Sequence, residues 1–267
     1  MKRLKSTAAD LRMLFEEAIT ARFIAADLDS CQIEDPCSVA NGKMKKKGFD
    51  VLGVTKDDVV IGYIELNDAV SEPCRDFTKQ ICLADLVDES APLMEVLRIL
   101  ADEPRVFVSC ENSVDGIITW GDLQRAPVRM LLFGLVSLLE MQMLRLIIKL
   151  YPDGSWEQLL KPERVDMARD LHRQRREKRE EIDLADCLQF CDKRDVLIQD
   201  DGLRERLSLC TRTSARRFLK QVEDLRDLLA HAQDLSTKMS WPKILGLASK
   251  TEKLIEACEN VPDEQEA

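Results

Sequence analysis

The sequence has few residues of the types that build metal centres and aromatic-rich sheets. Only two of its 267 residues are histidine, and the nine cysteines are irregularly spaced, without a second pair to match Cys31 and Cys37. This leaves few ligands for zinc, so we expect no metal. Aromatic residues make up only 5% of the chain. The apolar content, carried by leucine, isoleucine, valine, alanine and methionine, therefore favours helices and short buried strands over an all-β sandwich.

An excess of basic charge and long apolar runs are also missing. The net charge is −10 at pH 7 and the pI is about 5.0, so any phosphate binding must be local. The most apolar stretch, residues 128–151, is interrupted by charges, and its longest uncharged part is about half of the ~20 residues that a bilayer requires. We expect a buried helix and no membrane. The odd number of cysteines, after an amphipathic start, predicts free thiols and a cytoplasmic protein.

A repeated pattern occupies the first half of the chain. Apolar runs at residues 49–54 and 59–64 are separated by a four-residue polar turn, which predicts a β-hairpin. A second pair of runs, at residues 105–109 and 116–119, flanks the polar stretch 111–115. The two stretches look like copies of one unit.

Both copies end in the same seven-residue motif. It begins with a glycine and two apolar residues, and its last residue is an aspartate that opens a helix. The aspartate is Asp68 in the first copy and Asp122 in the second, and the copies differ at the fourth position, which holds Glu65 or Thr119. A helix N-terminus can bind phosphate, a threonine hydroxyl adds a contact, and an aspartate can accept two ribose hydroxyls. The alternative is that Thr119 and Asp122 form only a capping box.

Several segments together resemble the CBS motif, which occurs in tandem pairs of roughly β-α-β-β-α order. They are residues 84–90, 92–96, 106–108 and 116–123. The resemblance covers residues 28–125, and it is good for the second copy and degenerate for the first. It implies a cleft that binds an adenine nucleotide (ATP, ADP or AMP) as a regulatory ligand, with Thr119, Asp122 and Asp68 as the nucleotide-binding residues. Because Glu65 puts a negative charge where phosphate would lie, we expect a vacant or altered first site.

The second half of the chain has helical periodicity almost throughout and few glycines, which is typical of a helical bundle. Helices are predicted at residues 127–151, 162–180, 184–191, 202–209, 214–235 and 242–258. We therefore divide the chain into an α+β domain at 1–125, an all-α bundle at 126–260 and an acidic, disordered tail at 261–267.

Arg226, Asp227 and His231 lie near the end of this bundle. Arginine, a polar residue, three further residues and histidine resemble the signature of the HEPN family. The five-residue spacing separates Arg226 and His231 by about 140° on a straight helix, so a bend or a helix end would have to bring them to one phosphate. The alternative is structural, with Arg226 in a salt bridge and His231 as a helix-capping residue.

The resemblance to HEPN proteins implies a metal-independent endoribonuclease that acts as a homodimer on RNA and needs no cofactor. His231 would take the proton of a 2′-hydroxyl, Arg226 would stabilise the phosphate charge and Asp227 would orient either one. The product would be a 2′,3′-cyclic phosphate. The fold class is thus an N-terminal α+β CBS pair followed by an all-α HEPN-like bundle. Two alternatives remain, a non-catalytic nucleotide sensor or adaptor with a dimerising bundle and a toxin-like nuclease.

Basic residues near this triad are the candidates for RNA contacts, namely Arg212, Arg216 and Arg217. A denser basic run at residues 172–181 has a simpler explanation. Its charges alternate at helical spacing, so we expect a solvated helix with pairs such as Arg173 with Glu177.

Overall fold

The computed structural model describes Met13 and residues 18–66, 72–231 and 234–261. Asp68 and residues 262–267 of the predicted tail lie outside these residues. Two compact units are present within the described residues, one ending at Arg129 and the other formed by the residues from Met130 onward with Met13. The first mixes strands and helices and the second is helical, as the α+β and all-α pattern predicted.

The first unit contains the same element order twice, which is strand, helix, then hairpin. In the first copy these elements are β2 (Ser30–Gln32), α1 (Cys37–Lys47), β3 (Val51–Lys56) and β4 (Val59–Glu65). In the second copy they are β5 (Leu86–Asp88), α2 (Leu93–Asp102), β6 (Arg105–Cys110) and β7 (Ser113–Thr119). Strand β1 (Ala26–Asp27) extends the second sheet, whose order is β1-β7-β6-β5, and the first sheet has the order β2-β3-β4.

The two hairpins have the same register. In both, the first strand pairs parallel with the short strand before the helix and antiparallel with the second strand. Val51 lies opposite Glu65 in the first copy, and Arg105 lies opposite Thr119 in the second. The predicted repeat is therefore confirmed, with Glu65 and Thr119 at equivalent positions. The second turn is shorter than predicted, because residues 113–115 already belong to β7.

Apolar burial holds each copy together. Helix α2 buries five side chains at helical spacing, from Leu93 to Leu100. The core of the first copy includes three cysteines, with the Sγ atom of Cys74 3.6 Å from that of Cys31 and 3.8 Å from that of Cys37. All three are free thiols, and they pack as small apolar side chains.

The second unit is built from six helices within the described residues. They are α3 (Ala126–Leu150, in this unit from Met130 onward), α4 (Pro162–Glu177), α5 (Phe190–Gln199), α6 (Asp201–Arg206), α7 (Arg212–Ala230) and α8 (Trp241–Glu259). Helix α7 packs against α5 and α8 through a buried stripe that includes Leu219, Val222 and Leu225. The predicted helix at residues 184–191 is instead a short 3-10 turn, Leu184–Cys187, followed by the start of α5.

Helix α3 is the one helix in the described part of the chain that is long and apolar enough to cross a membrane by length and composition. Its most apolar 18-residue window is 61% buried inside the protein. A partly buried ion pair crosses to α5, where the Lys193 ammonium lies 2.8 Å from the Glu140 carboxylate. Core helices of globular proteins have these same properties.

We predict that Ellman's reagent modifies two thiols quickly and the others slowly. Cys82 and Cys210 are exposed, whereas burial raises the pKa of Cys74 to about 11 and that of Cys258 to about 12, which removes the reactive thiolate at neutral pH. The number of thiols that react in the fast phase is read from absorbance. The double variant Cys82→Ser, Cys210→Ser should lose this phase, and a fast phase that survives in it would contradict the assignment.

Candidate functional site

A cleft of about 520 Å³ opens in the first unit and is lined by both copies. One wall comes from residues 26–29, which precede β2 and include strand β1 of the second sheet. The first copy also contributes the segment leading into β3, residues 48–51. The second copy contributes Pro104, Arg105, Ile117 and residues 119–122. The volume lies within the range of small-molecule sites, and apolar walls with a few polar groups are typical of them.

Thr119 and Asp122 meet at this cleft. The backbone N–H of Thr119 donates to Oδ2 of Asp122 at 2.9 Å, and the Thr119 hydroxyl donates to the same oxygen at 3.1 Å. The other carboxylate oxygen of Asp122 lies 2.8 Å from the guanidinium of Arg125. The predicted capping contact is therefore present, and the residues that make it also line the cleft.

The element that follows Thr119 differs from the prediction. Residues Trp120–Gln124 form a 3-10 helix of five residues rather than the start of an α-helix. A single short turn has little of the aligned peptide dipole that lets a longer helix bind phosphate. Phosphate binding at this position would thus depend on the Thr119 hydroxyl and on local backbone N–H groups.

Three cleft aspartates were missed by sequence reasoning, namely Asp27, Asp29 and Asp50. They lie in the segments at and before β2 and β3, outside any recognisable motif. Asp29 lies 2.7 Å from Nζ of Lys47 and 3.0 Å from Nζ of Lys43. The hydrogen bonds from Lys47 and then Lys43 lower the pKa of Asp29, so this carboxylate is charged at neutral pH.

Glu65 occupies the first-copy position that Thr119 occupies in the second. Its carboxylate lies 2.7 Å from Nζ of Lys79 and 2.5 Å from Nη1 of Arg105. The hydrogen bond from Lys79, followed by that from Arg105, lowers the pKa of Glu65. The negative charge expected at this position is present, and two cations neutralise it. Asp68, the third predicted nucleotide contact, is outside the described residues.

The predicted catalytic residues lie at the C-terminal end of α7. Nη1 of Arg226 is 3.8 Å from the Glu140 carboxylate, Nη2 is 3.2 Å from Asp227, and the guanidinium lies 5.6 Å from the ring centroid of Phe190. His231 is the exposed C-cap, and its backbone N–H donates to the Asp227 carbonyl at 3.1 Å. Arg226 and Asp227 are thus in contact, whereas no hydrogen bond joins the His231 ring to either of them within the described chain.

The candidate RNA contacts point to different acidic partners. The guanidinium of Arg212 is 2.8 Å from Asp201, that of Arg216 is 3.4 Å from Asp195, and Arg217 is exposed. Exposed pairs of this kind contribute little stability and exchange readily.

The basic run forms local ion pairs, although not the predicted ones. Arg173 lies 3.1 Å from Asp170, and Arg175 lies 2.7 Å from Glu180. Elsewhere in the ranges that the structure describes, no group of three His, Cys, Asp or Glu side chains is arranged to hold a metal ion.

No protein-family model matches the chain, and no curated protein matches its sequence. Similar solved structures include an uncharacterized conserved protein from Pyrococcus horikoshii, with 20% identity, a TM-score of 0.37, and coverage of 40% of this chain and 91% of that one. CBSX2 in complex with AMP has 17% identity, a TM-score of 0.37, and coverage of 42% and 98%. The CBS domains of a transcriptional regulator from Streptococcus pneumoniae have 17% identity, a TM-score of 0.35, and coverage of 39% and 95%.

We predict that Asp122→Ala lowers the free energy of unfolding of the first unit by about 1 to 2 kcal/mol. The variant loses the bonds to the Thr119 N–H and to Arg125, and losses of helix caps typically have this size. Urea unfolding followed through Trp120 fluorescence measures the change, in a background where Trp156 and Trp241 are phenylalanine.

The matched control is Asp115→Ala, since Asp115 is an exposed residue of the same hairpin whose side chain bonds only the Ser113 hydroxyl among the described contacts. Its backbone bond to Leu28 is kept in the variant. Its effect should stay within about 0.5 kcal/mol, as for most surface substitutions. Equal losses in the two variants would mean that the capping contact adds no stability.

Proposed function

We propose that the first unit is a CBS-like pair that binds one adenine nucleotide in the cleft between its copies. The observation that carries this proposal is the position of Thr119 and Asp122, which lie side by side on the wall of a cleft large enough for a nucleotide. The duplicated β-α-β-β order supports it, since a tandem pair creates a cleft that both copies line.

The lining includes both polar and apolar side chains. Asp122 has about four acceptor positions, of which the Thr119 N–H, the Thr119 hydroxyl and Arg125 use three. It can accept the two ribose hydroxyls once the Thr119 hydroxyl turns away and frees a second position. The Thr119 hydroxyl is next to it and can turn to a phosphate oxygen. Leu28 and Ile117 provide apolar surface for a purine ring. We expect one bound nucleotide per chain, because Glu65 in the first copy stands where the second copy has Thr119.

Asp122→Asn tests this assignment by isothermal titration of the full chain with AMP. The amide has only one acceptor oxygen and carries no charge, so we expect the affinity to fall by about tenfold to a hundredfold, as for the loss of hydrogen bonds to a charged group. Asp115→Asn is the control and should bind as tightly as the unchanged chain. The proposal is wrong if the unchanged chain binds none of AMP, ADP and ATP, or if both variants bind AMP equally well.

We also propose that the helical unit cleaves RNA without a metal, as a homodimer. One observation favours this function. His231 ends α7 with an exposed imidazole, five residues after Arg226 and four after the exposed Asp227. A neutral imidazole can accept the 2′-hydroxyl proton while Arg226 leaves its long contact with Glu140 to bind the phosphate. Arg212, Arg216 and Arg217 would hold the RNA backbone. The competing function is a non-catalytic adaptor whose bundle only dimerises.

The two histidines of the chain provide a matched pair for the test. His231→Ala should reduce cleavage of a labelled RNA in EDTA by at least about a hundredfold, the usual contribution of a general base. His172→Ala should not, because the His172 ring contacts only the Ile182 carbonyl among the described residues, at 3.1 Å. An RNA with a single 2′-deoxy residue at the cut position should resist cleavage.

If the unchanged chain does not cleave RNA, or if His231→Ala is fully active, the ribonuclease proposal is wrong. The non-catalytic adaptor is then the remaining function. The same assay with saturating AMP tests the nucleotide response. Equal rates with and without AMP would remove the regulatory part of the hypothesis.

A further inference from the structure

The charges around the cleft are mostly negative. Among the described residues that line it, four are aspartates, and Arg105 is the one with a cationic side chain. Asp29 is paired with Lys43 and Lys47, and Asp122 with Arg125. The remaining carboxylates, Asp27 and Asp50, have no ion-pair partner in the described parts of the chain and are exposed.

Arg105 is well placed to bind a phosphate chain, but it is engaged elsewhere. It begins β6 directly opposite Thr119, so its backbone lies beside the proposed phosphate contact. Its guanidinium is 2.5 Å from the Glu65 carboxylate and 5.3 Å from the ring centroid of Tyr63, and its side chain is only 17% exposed. A short charge-assisted bond of this kind in a half-buried setting is among the stronger polar contacts in proteins.

Glu65 thus joins the two copies through its ion pair with Arg105. It replaces the residue that would contact phosphate in the first copy, and it neutralises the cation that would contact phosphate in the second. Each phosphate group added to a nucleoside brings further negative charge into a cleft that Asp27 and Asp50 also line. The one cationic side chain in the described lining, Arg105, is already paired with Glu65. Like charges a few ångströms apart repel each other measurably even near the protein surface.

We propose that Glu65 is a specificity-determining residue that makes this cleft select a nucleoside monophosphate over the corresponding triphosphate, by holding Arg105 away from the phosphate chain. This inference rests on the proposed nucleotide site. It adds the ligand class and assigns a role to the substituted position of the first copy. Glu65 acts through Arg105, so it is a positioning residue and not a ligand contact.

The experiment compares AMP with ATP by isothermal titration of the full chain. EDTA is present to remove divalent cations, which would otherwise offset the phosphate charge. The unchanged chain should bind AMP at least about tenfold more tightly than ATP, a difference of about 1.4 kcal/mol. Glu65→Gln releases Arg105 and should strengthen ATP binding more than AMP binding, bringing the two affinities within about threefold of each other. Glu65→Gln with Arg105→Gln should lose this gain.

Glu34→Gln is the matched control. Glu34 is an exposed carboxylate of the same unit, 3.2 Å from Arg75, and is not part of the cleft lining. It should leave the ratio of the AMP and ATP affinities unchanged. If Glu65→Gln does not fold, as judged by circular dichroism, Arg105→Gln serves instead and should change the ATP affinity of the chain by less than about threefold, because the guanidinium is already neutralised.

The outcomes separate the two proposals. A chain that binds neither nucleotide overturns the proposed function and this inference with it. A chain that binds AMP and binds ATP equally or more tightly overturns only the selectivity. A change in the ratio for Glu34→Gln as large as that for Glu65→Gln, or a large loss of ATP binding in Arg105→Gln, would also contradict the role of Glu65.

Discussion

Each hairpin of the duplicated unit turns over two residues with positive φ, Asp57 and Asp58 in one copy and Glu111 and Asn112 in the other. Two-residue turns of this kind match the twist of antiparallel strands and fix their pairing. Because side chains alternate along a strand, a slip of one residue would move Thr119 and Glu65 to the opposite face of their sheets. The shared register therefore places a threonine in one copy where the other has a glutamate.

In the second copy, the contacts that cap the turn also form part of the cleft wall. Asp122 caps the turn after β7 and contacts Arg125, and it also forms part of the cleft wall. A carboxylate held by an N–H, a hydroxyl and a guanidinium is already oriented, so little conformational freedom is lost when a diol approaches. In the first copy, Glu65 has turned the equivalent position into an ion pair that spans the two copies. The repeated position thus holds, in the second copy, a threonine bonded to Asp122 and, in the first, a glutamate that pairs with the other copy.

Much of the fold was predictable because local pattern and packing agree. Alternating apolar runs with polar turns indicated both hairpins, and the matched spacing of Glu65 and Thr119 predicted their equivalence. Helix α1 was missed because Asn41 and Gly42, a pair typical of turns, lie in its middle and its apolar periodicity is weak. Burial of Ala40 and Met44 against the sheet compensates for this low propensity. The pairing of Arg105 with Glu65 was not predictable, because it joins residues that only the tertiary structure brings together.

Prediction of the site was limited in the same way. Thr119 and Asp122 could be named from one motif, whereas Asp27, Asp29 and Asp50 lie in short segments whose meeting at a cleft no local pattern encodes. In the helical unit, Arg226 and His231 were named from their resemblance to the HEPN signature near the end of a predicted bundle. Arg226 contacts Glu140 and Phe190, which lie on helices distant in sequence. Its guanidinium must give up these contacts in order to bind a phosphate.

The central claim is that the Asp122 carboxylate holds the ribose of a nucleotide in this cleft. Its most direct test compares the affinities of the unchanged chain for AMP and for 2′,3′-dideoxy-AMP, which differ only in the two hydroxyls. The account predicts that the dideoxy nucleotide binds at least about tenfold more weakly, as expected when a charged acceptor loses its hydrogen-bond donors. Equal affinities would contradict it.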